Sequence, residues 1–409
     1  MDDDVAPGSR GYDRPVTAPP TPPDAPADAP SAHPAPSARP APSARPALPL
    51  RPELAGDVPY GAPQLDVPVL LNVNENPYPP SPQVVADVAA AVAEAAAGLN
   101  RYPDREFLPL RADLADYLAV ESGVRVAPEQ VWAANGSNEV MLHLLQAFGG
   151  PGRTALSFAP TYSMYPEYAR DTHTRWVAGR RTEQFDVDPA EARALIAREA
   201  PSVVLLTSPN NPTGTALELD TVREVLAAAA EVPGGCVVVV DEAYGEFRRE
   251  GVESALTLLA DHPHLAVSRT MSKAFGLAGA RVGYLAASRE LVDALRVVRL
   301  PYHLSAVTQA VARAALRHAP ELMAQVGSLR AERDQLVLDL RDRGIRVAES
   351  DANFVLFQVG EDRHAVWQQL LDRGVLIREV GPEGWLRVSV GTPEETAAFT
   401  AALWEVLGT

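Results

Sequence analysis

Four short motifs combine small, hydroxyl-bearing and ionisable side chains, and each follows a strand-like run or opens a helix-like one. The motifs are residues 134–139 (ANGSNE), 208–214 (SPNNPTG), 241–244 (DEAY) and 268–276 (SRTMSKAFG). Arg281 follows the last motif closely, and Arg387 lies far downstream. An amine, a carboxylate, hydroxyls and helix-opening amides in one chain predict a site that binds a small anionic molecule and moves protons on it.

Lys273 has a setting that is unusual for a lysine. Most lysines are solvated surface charges, whereas small and apolar residues follow Lys273 at positions 274–279, and Arg281 is close in the chain. A lysine that forms a Schiff base with a carbonyl group needs a depressed pKa, which desolvation and neighbouring cations supply. Lys273 is therefore the predicted catalytic amine.

A second set of residues predicts a phosphate site: Gly136, Ser137, Asn138, Thr270, Ser272 and Arg281. The first three open a predicted helix, where free backbone N–H groups and small side chains favour an anion. The other three add hydroxyls and a cation from a different segment. An ordinary helix cap formed by Ser137 or Asn138 is the alternative explanation of the first motif.

Asp241 directly follows four valines, at the predicted end of a strand. There its carboxylate could hold the protonated nitrogen of a pyridine ring. Tyr244 and Asn211 could donate hydrogen bonds to an oxygen of the same ring. Taken singly, Asp241 also fits a turn or cap, and residues 210–212 also fit a plain turn.

The elements that must position these residues are those of an α/β protein. Helical patterns and β-branched runs alternate, the helical ones at 82–97, 105–120 and 138–148 and the β-branched ones at 203–207, 237–240 and 265–268. Polar or turn residues follow each run, which predicts parallel strands buried on both faces. Functional residues are expected at the carboxyl ends of such strands.

The pattern changes after residue 300. A long helical stretch, interrupted near Pro320, is followed by two strand-like pieces, the three spans being 304–343, 354–357 and 385–390. We therefore expect a large domain over residues 51–300, with a mostly parallel central sheet, and a smaller α+β domain over residues 301–409.

Residues 1–50 form a separate compositional zone that is rich in Ala, Ser and Asp and holds 14 of the 38 prolines. Such a segment cannot bury enough apolar surface to offset its chain entropy, so we predict a disordered arm. The fragment PSAR occurs at 36–39 and again at 42–45, but no anchor residue recurs with a clear spacing. A partner-binding polyproline arm is the weaker alternative.

Composition excludes some classes of protein. The formal net charge of −17 disfavours nucleic acid as a partner, because its phosphates would be repelled. The apolar runs are far shorter than the roughly 20 residues of a membrane-spanning helix. The chain opens with three aspartates rather than a basic leader, which predicts a cytoplasmic protein. The histidines and Cys236 lack the spacing of metal ligands, and Cys236 is expected to be a small buried hydrophobe.

Five further segments complete an ordered set with the four motifs: 59–63 (PYGAP), 71–77 (LNVNENP), 100–103 (NRYP), 160–162 (PTY) and 386–392 (LRVSVGT). Each segment alone is weak evidence, but the ordered set is highly specific. It resembles the fold-type-I pyridoxal-phosphate aminotransferases, and within them the histidinol-phosphate aminotransferases. The resemblance runs from about Leu54 to the C-terminus and does not include the proline-rich arm.

The resemblance implies a role for each matching residue. Lys273 would carry pyridoxal 5'-phosphate, and Asp241 would contact its ring nitrogen. Tyr244, the third catalytic residue, and Asn211 would contact the ring oxygen, and Tyr162 would stack on the ring face. The six residues of the predicted phosphate site would surround the cofactor phosphate.

The resemblance also implies substrate contacts and a second subunit. Arg387 would bind the carboxylate of glutamate or 2-oxoglutarate through a bidentate fork. Tyr60 and Arg378 resemble residues that hold the phosphate of histidinol phosphate. A tyrosine like Tyr102 reaches the cofactor phosphate of the neighbouring subunit in the family, which implies a homodimer with shared active sites.

The implied reaction interconverts histidinol phosphate and 2-oxoglutarate with imidazole acetol phosphate and glutamate, as in histidine biosynthesis. An aminotransferase for aromatic amino acids such as phenylalanine is one alternative, because such enzymes share most of the motifs. A phosphothreonine decarboxylase of similar architecture is another. A transcription regulator with an aminotransferase-like domain would need a basic DNA-binding module, which residues 1–50 do not resemble.

Overall fold

The structure is a computed structural model that describes residues 48–59, 61–360 and 362–408. The chain divides into two compact units, Met1–Asp57 and Val58–Thr409. In the first unit the described residues contain one 3₁₀ turn, Pro52–Leu54. The predicted disorder of the arm falls on residues that lie almost wholly outside the described ones, and Tyr60 lies outside them too.

The second unit alternates helices and strands along the chain. Its helices are α1 (Pro82–Ala96), α2 (Leu108–Ser122), α3 (Ser137–Phe148), α4 (Tyr165–Asp171), α5 (Pro189–Glu199), α6 (Leu219–Ala230), α7 (Arg289–Val298), α8 (Ala306–Leu316), α9 (Ala319–Asp342), α10 (Arg363–Asp372) and α11 (Pro393–Leu407). Its strands are β1 (Val69–Leu70), β2 (Val131–Ala134), β3 (Thr154–Ala159), β4 (Arg175–Arg180), β5 (Val203–Thr207), β6 (Val237–Asp241), β7 (Leu265–Thr270), β8 (Gly283–Ala287), β9 (Phe354–Gln358), β10 (Val375–Leu376) and β11 (Trp385–Ser389).

A seven-stranded sheet with the order β2-β8-β7-β6-β5-β3-β4 forms the centre of the second unit. Strand β8 is antiparallel to both of its neighbours, and the other pairs are parallel. All residues of β5, β6 and β7 are buried, as expected of continuous β-branched runs covered by helices on both faces. The predicted α/β class with a mostly parallel central sheet is confirmed.

The register of the sheet brings the carboxyl ends of its middle strands level with one another. Asp241 on β6 pairs with Thr207 on β5 and with Ser268 on β7. Thr270, at the end of β7, pairs with Gly283 at the start of β8. Parallel strands that end at one edge present their last residues to the same crevice, so the predicted motifs converge here.

The residues after 300 belong to two hydrophobic cores. Helix α8 contributes Ala312 and Ala315, and the first half of α9 contributes Leu322, Val326 and Leu329, to the core of the main sheet. The end of α9 packs with the antiparallel pair β9–β11 and with α11 in a second core that also contains Leu71. The predicted boundary near residue 300 stays a prediction.

The predicted interruption of the long helix is present. Helix α8 ends at Leu316 and α9 starts at Ala319, so Pro320 lies in the first turn of α9. Proline fits that position because a first-turn N–H has no acceptor within the helix.

Candidate active site

A cleft of about 860 Å³ opens at the carboxyl edge of the main sheet. It brings together most of the residues predicted from the sequence, namely Ser137, Asn138, Tyr162, Asn211, Asp241, Tyr244, Thr270, Ser272, Lys273, Arg281, Arg378 and Arg387. These residues come from strand ends, from helix starts and from β11. The cleft therefore depends on both hydrophobic cores.

Lys273 reaches the cleft from the loop after β7. Its side chain is half-buried, and its Nζ donates a hydrogen bond to the carbonyl oxygen of Val73 at 2.9 Å. Loss of hydration lowers the pKa of Lys273 to about 8, with smaller contributions from Arg387 and Arg281, whereas Glu75 acts in the opposite direction. At pH 7 about a tenth of the amine is then neutral and nucleophilic, roughly 300 times the neutral fraction of an ordinary lysine.

Asp241 ends β6 with its carboxylate turned toward the cleft. Its Oδ2 accepts a hydrogen bond from the hydroxyl of Tyr165 at 2.9 Å. Among the described residues, nothing forms a hydrogen bond with its buried Oδ1. Burial raises the pKa of Asp241 to about 6, against the lowering effect of Tyr165 and of the Ala243 amide. A buried acceptor without a partner is costly, so this atom fits a donor supplied by a ligand.

Tyr244, Asn211 and Arg387 lie in one hydrogen-bond network. The Tyr244 hydroxyl accepts a hydrogen bond from Asn74 Nδ2 at 3.0 Å and a longer one from Asn211 Nδ2 at 3.5 Å. Arg387 donates to Asn211 Oδ1 at 2.6 Å and to the carbonyl of Asn72 at 2.8 Å. The guanidinium lies over the ring of Phe354, with its central carbon 5.1 Å from the ring centroid. Arg387 is therefore held rigidly, with its charge directed at the cleft.

The start of α3 forms an anion-binding cradle with Arg281. Gly136 is the N-cap residue with a φ of +85°, and no side chain caps the helix. A Cβ at position 136 would lie 2.5 Å from Arg281 Nη2, so only glycine allows this approach. The alternative of an ordinary cap formed by Ser137 or Asn138 is wrong. The first-turn amides and the guanidinium are thus concentrated at one place.

The hydroxyls of the second segment complete the cradle. Thr270 Oγ1 donates to the carbonyl of Val282 at 3.2 Å and accepts from the Ser272 amide at 3.1 Å. Arg281 donates to Ser272 Oγ at 3.4 Å. Tyr162 donates to Asn138 Oδ1 at 3.3 Å, which places its ring beside the start of α3.

Of the three remaining substrate and subunit predictions, the structure places only Arg378 in the cleft. Tyr102 does not line the cleft; its side chain is 79% exposed, and its ring stacks on that of Tyr302 with centroids 4.3 Å apart. Arg378 lines the cleft and donates to the carbonyl of Gly61 at 3.4 Å. Tyr60 lies outside the described residues.

Three polar residues of the site, Tyr165, Thr207 and Asn74, were not among the predicted site residues. The Tyr165 hydroxyl donates to Asp241 and also contacts the Thr207 hydroxyl. Asn74 donates to the Tyr244 hydroxyl. Asn74 lies in the segment 71–77, so its motif was a signal. Nothing in the sequence distinguishes Tyr165 from an ordinary core tyrosine, because its partners are distant in the chain.

Comparison with known proteins agrees with this geometry. Residues 67–403 match the family of class I and II aminotransferases. Histidinol-phosphate aminotransferase of Thermobifida fusca is 63% identical over 356 residues, which cover 87% of this chain and 95% of that protein. The one of Bifidobacterium longum is 57% identical, with coverages of 87% and 95%. The chain belongs to the histidinol-phosphate aminotransferase family. Its predicted membership is confirmed.

A solved structure extends the similarity to three dimensions. The histidinol-phosphate aminotransferase of Sinorhizobium meliloti, crystallised in complex with pyridoxal-5'-phosphate, has a TM-score of 0.73 and 26% identity. The match covers 84% of this chain and 91% of that one. Transaminase chemistry and pyridoxal phosphate as cofactor, both predicted from the sequence, are confirmed by family and fold together.

The residues of the cleft fit this cofactor on three independent observations. Asp241 offers a buried oxygen without a partner to a ring nitrogen. The cradle at Gly136 offers amides and a guanidinium to a phosphate. Lys273 offers an amine with a lowered pKa to an aldehyde.

The described residues lack two further kinds of feature. No helix among them is long and apolar enough to cross a membrane. Within the same residues, no group of three or more His, Cys, Asp or Glu side chains is arranged to hold a metal ion.

Proposed function

We propose that this chain transfers an amino group between L-histidinol phosphate and 2-oxoglutarate, giving imidazole acetol phosphate and L-glutamate, as a step of histidine biosynthesis. The observation that carries the proposal is the position of Lys273. Its amine lies in the same cleft as the Asp241 carboxylate, the cradle at the start of α3 and the guanidinium of Arg387. Relatives at 63% and 57% identity bear the name of this activity.

Pyridoxal phosphate, when bound, supplies an aldehyde that condenses with amines and a pyridinium ring that accepts electrons from a substrate carbon. Its phosphate would be held by the first turn of α3, by Thr270 and Ser272, and by Arg281. Tyr162 would pack against the ring face. Tyr244 and Asn211 would donate hydrogen bonds to the ring oxygen.

Lys273 has two tasks in this proposal. It would hold the cofactor until a substrate amine takes its place, and its freed amine would then move a proton to and from the reacting substrate carbon. A pKa of about 8 suits both tasks, because the amine can gain and lose a proton near neutral pH. The hydrogen bond to the Val73 carbonyl keeps the amine at the cleft wall.

Asp241 and Tyr244 would set the charge distribution. An ionised Asp241 would keep the ring nitrogen protonated, since a buried carboxylate favours a cation beside it. The Tyr244 hydroxyl would lie beside the ring oxygen, oriented by Asn74. Both are buried, at 4% and 5% exposure, so water does not weaken these contacts.

Substrate recognition would rest on arginines. Arg387 would bind the carboxylate of glutamate or 2-oxoglutarate through two parallel hydrogen bonds. Arg378, with Tyr60, would bind the phosphate of histidinol phosphate. A site with two cationic positions can accept these two different anions in turn, because each leaves before the other binds.

A homodimer is part of the proposal, as is a cytoplasmic location. Large apolar side chains are exposed on two neighbouring segments, at Leu99, Tyr102, Val297 and Leu300. The stacking of Tyr102 on Tyr302 joins these segments into one surface. Exposed apolar residues concentrated in this way are typical of a protein interface. A second copy would bring its Tyr102 toward the cofactor phosphate.

The test is a transamination panel with 2-oxoglutarate as acceptor. Histidinol phosphate, phenylalanine and tyrosine serve as amino donors, and phosphothreonine is included as a further substrate. Glutamate formation and carbon dioxide release are both measured. We expect kcat/KM for histidinol phosphate to exceed that for the aromatic amino acids by at least about 100-fold, because Arg378 would be left without a phosphate. A preference for phenylalanine, or release of carbon dioxide from phosphothreonine, would contradict the assignment.

A further inference from the structure

Three hydroxyl groups form a chain that ends on Asp241. The Tyr165 hydroxyl lies 2.9 Å from Asp241 Oδ2 and 2.8 Å from Thr207 Oγ1. Thr207 Oγ1 lies 3.1 Å from Thr161 Oγ1. Tyr165 is fully buried and Thr207 is 2% exposed, so water does not compete for these contacts.

The chemistry of the groups decides which one donates. An ionised carboxylate can only accept, so the single proton of Tyr165 goes to Asp241. The Tyr165 oxygen then accepts from Thr207, and Thr207 accepts from Thr161. All three hydroxyls point the same way, toward the carboxylate, and chains of this kind strengthen each of their members.

The chain also fixes the orientation of the carboxylate. Tyr165 begins α4, and Thr207 ends β5 in register with Asp241. With Oδ2 held by Tyr165, Oδ1 is the oxygen left for the cleft, and within the described residues it has no hydrogen-bond partner. The arrangement presents one free oxygen rather than a rotating carboxylate.

Other charged groups act on Asp241 from several elements. Burial raises the pKa of Asp241 to about 6, and the negative charge of Glu242, next in the chain, acts in the same direction. Three basic side chains and two phenols line the same cleft as Asp241, namely Lys273, Arg281, Arg387, Tyr162 and Tyr244. Behind Tyr165, Arg181 donates to the carbonyl of Thr207 at 3.3 Å. Among these groups, Tyr165 alone donates to Asp241 directly.

We propose that Tyr165 is a positioning residue for transamination, which orients Asp241 toward the ring nitrogen of the cofactor and keeps it ionised, with Thr207 as its support. This inference rests on the proposed function, because the ring nitrogen is that of pyridoxal phosphate. Tyr165 does not line the cleft itself, and its hydroxyl acts on the site through Asp241. Its ring also packs edge-on against Tyr162, with centroids 5.6 Å apart, a contact that Tyr165→Phe retains.

The test compares Tyr165→Phe and Thr207→Val with a matched control, Tyr284→Phe. Tyr284 is likewise fully buried, and among the described residues its hydroxyl has no hydrogen-bond partner. Infrared titration of the full chain stripped of cofactor gives the pKa of Asp241, and its band is identified by its loss in Asp241→Asn. We expect the pKa of Asp241 to rise by about 1 in Tyr165→Phe, by less in Thr207→Val and not at all in the control.

The loaded enzyme gives a second readout. A protonated Asp241 cannot hold the ring nitrogen. As the pH is lowered, the pyridoxal-phosphate affinity and the kcat/KM of Tyr165→Phe should therefore begin to decrease at a higher pH than those of the wild type. Both should recover toward wild-type values above the shifted pKa, whereas Asp241→Asn should not recover at any pH. An unchanged pKa of Asp241 in Tyr165→Phe would overturn the inference, whatever the variant does to melting temperature.

The infrared titration needs no cofactor, so the two proposals fail in different ways. A wild-type chain that binds no pyridoxal phosphate would overturn the proposed function and this inference with it. A wild-type chain that binds the cofactor, combined with an unshifted pKa in Tyr165→Phe, would overturn the inference alone.

Discussion

Lys273 shows how much of the chemistry depends on the surroundings of one side chain. It is the only lysine in the chain, and all the other residues in the Lys+Arg count are arginines. Its amine is desolvated and faces Arg387 and Arg281 in the cleft, which favours the neutral form. Arginine could not replace it, because a guanidinium stays protonated and is a poor nucleophile. Lys273 is therefore the one lysine side chain that can form a Schiff base, and its surroundings favour the neutral, reactive amine.

We predict that covalent capture of pyridoxal phosphate follows the titration of Lys273. Only the neutral amine attacks an aldehyde, so the capture rate should rise with pH and level off above about 8, whereas a solvated lysine would level off near 10.5. The rate is measured by stopped-flow absorbance, and borohydride reduction fixes the label for mass spectrometry. Lys273→Ala should stay folded and lose turnover, and its side chains should carry no label.

Arg387→Met provides a graded comparison. Removing this cation from the neighbourhood of Lys273 should move the midpoint of capture to higher pH, since Arg387 contributes to the lowered pKa. A midpoint near 10.5 in the wild-type chain would show that the amine is not desolvated, and label at another site would remove Lys273 from the mechanism.

At the scale of elements, the carboxyl ends of β6 and β7 present cleft residues on one side and a buried ionic cluster on the other. Asp241 and Thr270 line the cleft, whereas Arg269 on β7 and Glu242, which directly follows β6, do not. Arg269 contacts Glu242 at 2.7 Å and Glu246 at 3.1 Å, and its side chain is fully buried. Because successive strand residues point to opposite faces, this ionic cluster fixes the strand ends from behind the site.

We predict that Arg269→Met destabilises the protein by about 3–5 kcal/mol at neutral pH, because the buried Glu246 loses its ion pair and the buried Glu242 keeps only its pair with Arg248. Burial alone would raise the pKa of Glu242, but Arg269 and Arg248 hold it below its usual value. The deficit should therefore shrink as the pH falls and the carboxylates take up protons. Urea unfolding at several pH values measures the effect.

Arg289→Met is the control for this prediction. The Arg289 side chain is 70% exposed, and its pair with Asp293 is 3.9 Å long, so its loss should change stability by less than about 0.5 kcal/mol. Equal losses in the two variants would show that the buried pairs at Arg269 contribute nothing beyond those at the surface.

The sequence predicted the parts of this site that have a local signal. The runs at 203–207, 237–240 and 265–268 coincide with β5, β6 and β7 apart from their ends, because continuous β-branched residues favour buried strands. Asp241 and Asn211 follow such runs, so their place at the sheet edge could be expected. The antiparallel course of β8 could not, because strand direction depends on how distant segments pair.

Contacts that depend on long-range packing were equally hidden. Tyr165 meets Asp241 across 76 positions of the chain, and Val73 meets Lys273 across 200. A backbone carbonyl such as that of Val73 carries no side-chain signature at all. Tyr165 looks in the sequence like any core aromatic, and only the fold shows that its hydroxyl is directed at a carboxylate.

At the scale of the whole molecule, the question is whether one chain alone holds a complete active site. Lys273, Asp241, Arg281 and Arg387 all reach the cleft within one chain. Tyr102 lies instead on the exposed apolar surface. A closed dimer with two-fold symmetry would pair this surface with its copy and bury the exposed leucines and tyrosines. In the proposed shared site, Tyr102 would come from the other subunit, whereas Lys273, Asp241, Arg281 and Arg387 come from the same chain.

We predict that two inactive variants restore each other if subunits share their sites. A hybrid of Lys273→Ala and Tyr102→Ala has one cleft with its own Lys273 and the Tyr102 of the other chain, so that cleft is complete. Random re-association of equal amounts should give about a quarter of wild-type activity, because half of the dimers are hybrids with one working site each. Mixing Lys273→Ala with Asp241→Asn is the control, since both residues belong to one chain's cleft and no hybrid cleft is complete. If the first mixture were as inactive as the control while light scattering showed dimers, Tyr102 would serve only its own subunit, and the shared site would have to be given up.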